Sequence, residues 1–302
     1  MIQSTSPSIG GSADAHAQAN PMQGALGWLR REFPFPEYFT VGFDAHESLA
    51  DIVLRRVPRG GRVLDIGCGP CDKTAVLSRL GYRCTAIDDF RDPWHREGDH
   101  LDRIGRFASR AQIDLVEGDG QSLPFERATF DAVVLCDIIE HLHASPRGLL
   151  GAAIELLRDD GTLIVTVPNA LNLRKRIDVL RGRTNYPPYG QFFASGDSWR
   201  GHVREYAWDD LVQLGHFLGL AEPTVLGRHH MTSVLPSWSR GIYRLATAPL
   251  EGVRDTLVLC GRKPTSWVLP PVTSALPPVT GALPPVTSAL PPVTSASRPP
   301  TT

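Results

Sequence analysis

Short apolar runs recur along the middle of the chain, with amphipathic stretches between them. Val63, Leu64 and Ile66 form one run that stops at Gly67, and Arg83–Ile87, Ile113–Glu117, Phe130–Leu135 and Gly161–Val167 repeat the theme. Runs this short, rich in branched residues and bounded by turn residues, read as strands. Between them apolar positions fall at helical spacing. Asp72–Leu80 follows the glycines directly, and Arg147–Leu157 presents Leu149, Leu150, Ile154, Leu156 and Leu157. Trp208–Leu218 places Leu211, Leu214 and Leu218 on one side, with Gly219 as the expected C-cap. Strands alternating with helices predict an α/β domain around a parallel sheet with right-handed crossovers.

Two connections exceed what such a scaffold needs. Phe90–Gln112 carries Asp92-Pro-Trp-His95 and His100-Leu-Asp-Arg103, and Ala170–Arg204 carries Asn185-Tyr-Pro-Pro-Tyr189, Phe192-Phe193 and Trp199. Long connections are commonly functional, so these are candidates for a lid or acceptor pocket, with satellite core as the alternative. At the ends the composition changes. Residues 1–20 are rich in Ser, Gly, Ala and Gln without periodicity, which predicts a disordered tail. From 266 to 302 the chain is a proline-rich tail whose unit Leu269-Pro-Pro-Val-Thr-Ser-Ala275 recurs from Leu276, Leu283 and Leu290. Paired prolines exclude a helix or a central strand, so this tail is expected to be disordered and polyproline-II-like. It is either dispensable for catalysis or a docking segment for a protein partner. The folded domain is accordingly expected at 21–265.

The candidate chemistry lies at strand ends. Asp65-Ile-Gly67-Cys-Gly69 is a strand-to-helix turn in which glycines let the backbone approach a ligand. A dinucleotide fingerprint would need a third glycine where this chain has Asp72, whose carboxylate would repel a pyrophosphate. Cys68-Gly-Pro-Cys71 has redox spacing, but a thioredoxin-like domain has no need of acidic residues after the next two strands. Those residues are Asp88-Asp89 and Gly118-Asp119-Gly120. An adenosine cofactor without phosphates needs both, an acceptor for ribose hydroxyls and polar contacts for adenine, which points to S-adenosylmethionine.

With D-x-G-x-G at Asp65–Gly69, G-D-x-x-x-L-P-F at Gly118–Phe125 and E-H-L at Glu140–Leu142, residues 45–262 resemble the class I S-adenosylmethionine-dependent methyltransferases. The resemblance implies a doubly wound, mostly parallel, seven-stranded Rossmann-like sheet ending in strands at Thr224–Leu226 and Thr256–Cys260. It implies Asp65, Gly67 and Gly69 around the methionine part of the cofactor and Asp88 on the ribose. Asp119 and the Gly120 backbone would meet adenine, and Asp137 would lie at the mouth of the same cleft. The set Asp137-x-x-Glu140-His141, with His202 downstream, resembles the carboxylate–histidine site of small-RNA 2′-O-methyltransferases and ubiquinone-pathway O-methyltransferases, where a divalent metal polarises the acceptor hydroxyl. On a helix Asp137, Glu140 and His141 would share a face. Two catalytic accounts stay open: Mg²⁺ or Mn²⁺ held by Asp137, Glu140, His141 and His202, or His141 as a general base without metal. A purely structural role is the third. Arg204 and Glu205 read as a surface ion pair that positions the lid.

Bulk properties narrow the function. The 302 residues, 42% of them hydrophobic, can bury one large core. A formal charge of −1 without a dense basic run lacks the footprint of a dedicated nucleic-acid binder. Five cysteines, at 68, 71, 84, 136 and 260, give no disulfide framework, and neither a signal peptide nor a long apolar run is evident. The expectation is a cytoplasmic enzyme without a membrane span. It would O-methylate a small-molecule hydroxyl of a sugar or glycan precursor, a quinone-like compound or another secondary metabolite. RNA 2′-O-methylation is the enzymatic alternative, and a non-catalytic cofactor-binding scaffold with a docking tail is the other.

Overall fold

The computed structural model describes residues 20–271 except 121, 185, 187 and 196–198, so most of both predicted tails lies outside the described residues. Seven strands form one sheet: β1 (Arg62–Ile66), β2 (Arg83–Asp88), β3 (Ile113–Glu117), β4 (Phe130–Cys136), β5 (Leu157–Pro168), β6 (Ala221–Arg228) and β7 (Thr256–Arg262). Their order is β3-β2-β1-β4-β5-β7-β6. β1 pairs in parallel with β2 and β4, and β4 with β5, whereas β7 is antiparallel to both β5 and β6. The expected doubly wound, mostly parallel sheet is therefore present. Its winding reverses between β1 and β4, which opens a crevice above their carboxyl ends.

Nine α-helices stand among the described residues: α1 (Pro21–Glu32), α2 (Asp44–Arg56), α3 (Asp72–Arg79), α4 (His100–Arg110), α5 (Arg147–Leu156), α6 (Leu173–Leu180), α7 (Tyr189–Ala194), α8 (Trp208–Phe217) and α9 (Ser237–Thr247). Alternation along β1 divides the core, because successive side chains of a strand face opposite sides. Val63 joins Leu29, Ile52, Val76 and Phe107 beneath α1 to α4, while Leu64 and Ile66 join Leu150, Ile154 and Leu211 beneath α5 and α8.

Three stretches differ from the sequence reading. Phe90–Gln112 is no surplus connection: it contains α4, the crossover helix between β2 and β3, which buries Ile104, Phe107 and Ala108. Charged residues on its outer face and Gly105 in its middle hide that helix. Helices α1 and α2 precede β1, and the side chain of Asn20 accepts the Met22 and Gln23 N–H groups to cap α1. The proline-rich segment begins on the core rather than off it. Trp267 Nε1 donates to the Leu218 carbonyl at 2.7 Å, the Arg147 guanidinium donates to the Pro270 carbonyl, and Leu269 fills the space left by Gly151, where a Cβ would come within 2.9 Å of it. Among the described residues no helix is long and apolar enough to cross a membrane.

Candidate active site

The crevice is a cavity of about 920 Å³, with the glycine turn on one side and Asp137 and His141 on the other. Gly67 and Gly69 have φ of 74° and 53°, and a Cβ at Gly67 would overlap the Ile138 side chain. Gly69 N–H donates to Asp88 Oδ2 and Phe90 N–H to Asp88 Oδ1, both at 2.8 Å. The turn and the second strand thus fix one carboxylate at the cavity wall, with lone pairs left for a diol. Gly118 and Gly120 line the same wall, and Asp119 Oδ1 accepts the Ser122 N–H at 3.1 Å, so this carboxylate shapes the turn that carries them. Leu149 of α5 closes the wall against Gly120.

Asp65 lies behind the turn, not in the cavity. It is 2% exposed, Thr74 Oγ1 donates to its Oδ2 at 2.5 Å, and burial pushes its pKa up to about 6. It buttresses the loop from below. Sequence reasoning missed Lys73 and Tyr38, which line the cavity. Burial opposes the charge on Lys73, but the Asp72 and Asp137 carboxylates outweigh it and hold the ammonium protonated, Asp137 Oδ2 lying 4.0 Å from Nζ. Asp72 is itself buried; that raises its proton affinity, yet Lys73 and the 2.6 Å contact with His46 Nε2 bring its pKa down to about 2. Lysine in the first turn after the glycines was the available signal. Cys68 and Cys71 are free, their sulfurs 3.5 Å apart, and burial raises the Cys68 thiol well above its ordinary range.

At the rim the chain leaves β4 through Asp137, whose φ is 57°, into a single 3-10 turn, Ile139–His141. The helical face expected for Asp137, Glu140 and His141 does not form. Asp137 instead accepts from Thr166 Oγ1 at 3.2 Å and faces Lys73. One ligand atom from each of Glu140, His141 and His202 lies within 4.8 Å of the other two, and Asp137 stands outside that group. Glu140 is 0% exposed, and neither carboxylate oxygen has a hydrogen-bond partner. Burial, and then the Asp137 charge, push its pKa up to about 8. His141 Nδ1 lies 2.8 Å from the Arg200 carbonyl, which can only accept, so Nδ1 carries a proton and the neutral ring presents its lone pair at Nε2. His202 Nδ1 is held in the same way by Glu205 Oε1 at 2.9 Å. Burial would raise the Glu205 carboxyl, but hydrogen bonds from His202 and Lys175 outweigh it and lower its pKa. The expected Arg204–Glu205 pair is absent, Arg204 meeting Asp210 instead.

A glycine turn after β1, a carboxylate pinned at the end of β2 and a winding reversal between β1 and β4 together define a doubly wound α/β domain whose cavity lies at the strands' carboxyl ends. Residues 43–214, more than half of the chain, match the family model of a methyltransferase domain, and the chain belongs to that family. It is a class I S-adenosylmethionine-dependent methyltransferase. Ubiquinone biosynthesis O-methyltransferase of Xanthomonas axonopodis pv. citri is 33% identical over 119 residues, 39% of this chain and 47% of that protein. Protein-L-isoaspartate O-methyltransferase of Bradyrhizobium sp. is 28% identical over 126 residues, 42% of this chain and 54% of that protein. The chain thus spans about half the length of the curated relatives it matches. A solved S-adenosylmethionine-dependent methyltransferase from Thermotoga maritima shares the fold, with a TM-score of 0.52 and 17% identity over 79% of this chain and 99% of that one.

Proposed function

We propose that the protein O-methylates a small-molecule hydroxyl with the help of a divalent cation held by Glu140, His141 and His202. One observation carries this reading: three Lewis bases converge at the cavity rim, one of them a buried carboxylate with no hydrogen-bond partner and His141 Nε2 4.0 Å from its Oε1. A buried carboxylate is costly unless paired, and two imidazoles whose Nδ1 protons are engaged elsewhere leave two lone pairs for the same cation. Two nitrogens and one oxygen favour Mn²⁺ or Zn²⁺ over Mg²⁺. Such an ion would polarise the acceptor hydroxyl and lower its pKa. The relative named as a ubiquinone biosynthesis O-methyltransferase supports the acceptor class.

The protein's own contribution is alignment and charge. Asp88, with the turn amides it fixes, is placed for the adenosine end of the cofactor, and Gly118 and Gly120 leave room for the base. Lys73 offers an ammonium of the cavity wall to the cofactor's carboxylate, and Asp137 offers the counter-charge that a positively charged methyl donor needs. His143, which also lines the cavity, is held by the Trp199 carbonyl at 2.9 Å and orders the segment that carries Arg200. The acceptor oxygen attacks the methyl carbon in line as the carbon–sulfur bond breaks and the sulfur keeps the electron pair, and the hydroxyl proton passes to solvent water before or during transfer.

The test is turnover with labelled cofactor across hydroxylated metabolites. Chelator abolishes it and Mn²⁺ restores it, while His141→Ala, His202→Ala and Glu140→Ala each lower it by about 10²-fold or more. Turnover that resists chelator and falls only on His141→Ala establishes a metal-free general base instead.

A further inference from the structure

Most large apolar side chains exposed among the described residues lie in two segments, α6–α7 and α9 with its flanks. On α6 these are Ile177, Val179 and Leu180; on α7 they are Tyr189, Phe192 and Phe193. Helix α9 buries Tyr243 and Thr247, ties Arg244 to Asp44 at 2.8 Å, and turns Trp238, Ile242 and Leu245 outward, at the spacing of one helix face, with Trp238 75% exposed. The two segments come together at one end, because Asn169, three residues before the α6 N-cap Asn172, donates through Nδ2 to the Gly252 and Arg254 carbonyls just past α9, at 2.9 and 2.8 Å. Apolar side chains clustered on neighbouring exposed helices mark a surface that meets a partner.

Charge identifies the partner. Around α6 the chain carries Arg174, Lys175, Arg176, Arg181 and Arg183 against Asp178 alone. Arg174, Arg176, Arg181 and Arg183 are exposed. A second copy docked about a two-fold axis would set this basic surface against itself. A sheet of anionic lipid headgroups complements it, with aromatic side chains entering the interface and arginines meeting phosphates. The face is also continuous with the site: Phe192 meets Trp199 edge-on at 5.4 Å, Trp199 lines the cavity, and Lys175 holds Glu205, the partner of His202.

We propose that α6, α7 and α9 form a docking face for an anionic lipid surface, and that the enzyme takes its acceptor hydroxyl from an amphiphile lying in that surface. The second half rests on the O-methyltransferase reading. The experiment co-sediments the full-length chain with vesicles of phosphatidylcholine alone and of phosphatidylcholine containing about one third phosphatidylglycerol. Binding is expected only to the anionic vesicles, falling as salt rises. Phe193→Asp and Trp238→Asp should each weaken it roughly tenfold with cofactor affinity unchanged. Absence of binding overturns the docking face, and so does a concentration-dependent dimer that Trp238→Asp dissolves, which would assign the face to a second copy. Methyl transfer to a water-soluble hydroxyl without vesicle binding defeats this inference and leaves the proposed function standing. Vesicle binding by a protein that methylates no hydroxyl defeats the acceptor assignment and leaves the docking face.

Discussion

On the cofactor side of the cavity the ligand-facing groups are largely backbone, set by local turns: Gly67 and Gly69 after β1, Gly118 and Gly120 after β3, with Asp88 pinned by two amides. On the acceptor side they are side chains from segments distant in sequence, Glu140 and His141 after β4 and His202 before α8, each oriented by a separate partner. A site made of turns is written in glycine spacing and tolerates little change of backbone. A site made of converging side chains stores unfavourable electrostatics, above all a buried carboxylate without a partner. The two sides should therefore fail in different ways.

The largest effect is expected at Glu140, where function and stability oppose one another. Glu140→Gln keeps the shape but loses the charge, and methyl transfer should fall by about 10²-fold or more if a cation is held there. Stability should move the other way. The ordinary carboxyl pKa of 4.5 is raised to about 8 in the fold. A group raised in this way contributes stability that is full below its unfolded pKa and is lost as pH rises through the folded value. The metal-free wild type should therefore lose roughly 2 kcal/mol between about pH 6.5 and 9, a similar amount having gone between about pH 4.5 and 6.5, and Glu140→Gln should flatten that slope. Melting curves read above pH 6.5 separate this from Asp65, whose folded pKa is about 6. A wild type with no such slope would mean that Glu140 is relieved by solvent.

Next comes Gly67→Ala, which probes the opposite wall. The position has φ of 74° and its Cβ would overlap Ile138. Overpacking and a left-handed backbone together should cost about 2–4 kcal/mol of stability and remove cofactor binding seen by calorimetry. A variant of normal stability and affinity would show that the turn is adaptable, and the contrast between the two sides would weaken.

That contrast also explains what could be read from sequence. Glycine turns and strand ends are local, so β1 to β5, α3 and the place of Asp88 at the cavity wall follow from the local pattern. Asp65 was displaced into the core because a residue inside a strand end can face either way, and only packing against Thr74 decides. The acceptor side depends on where the chain goes after β4. A left-handed Asp137 and a single 3-10 turn replace the helix on which the three-residue spacing would have aligned Asp137 with Glu140. Glu205 looked like a neighbour of Arg204, yet it serves His202 and Lys175, a pairing made only when α6 folds across. Helices α1 and α2 were not foreseen because neither carries a motif, although α2 supplies His46 to Asp72.

The smallest effect is expected at the C-terminal end, and it asks whether the cofactor wall stands alone. Helix α5 is that wall: Leu149 meets Gly120 toward the cavity, and Gly151, two residues on, receives Leu269 on the far side. Trp267 and Arg147 fix the same segment through the Leu218 and Pro270 carbonyls. Removing 272–302 spares all of these contacts, and the melting temperature and cofactor affinity should shift by no more than about 0.5 kcal/mol equivalent. Removing 267–302 strips Trp267 and Leu269 from the core, which should cost about 2–3 kcal/mol from lost apolar burial. Because α5 carries both the Gly151 seat of Leu269 and Leu149, the longer truncation should also weaken cofactor binding a few-fold. Equal behaviour of the two truncations, read by melting and by calorimetric titration, would show that the adenine side of the cavity is held by its own turns and owes nothing to the first proline-rich unit.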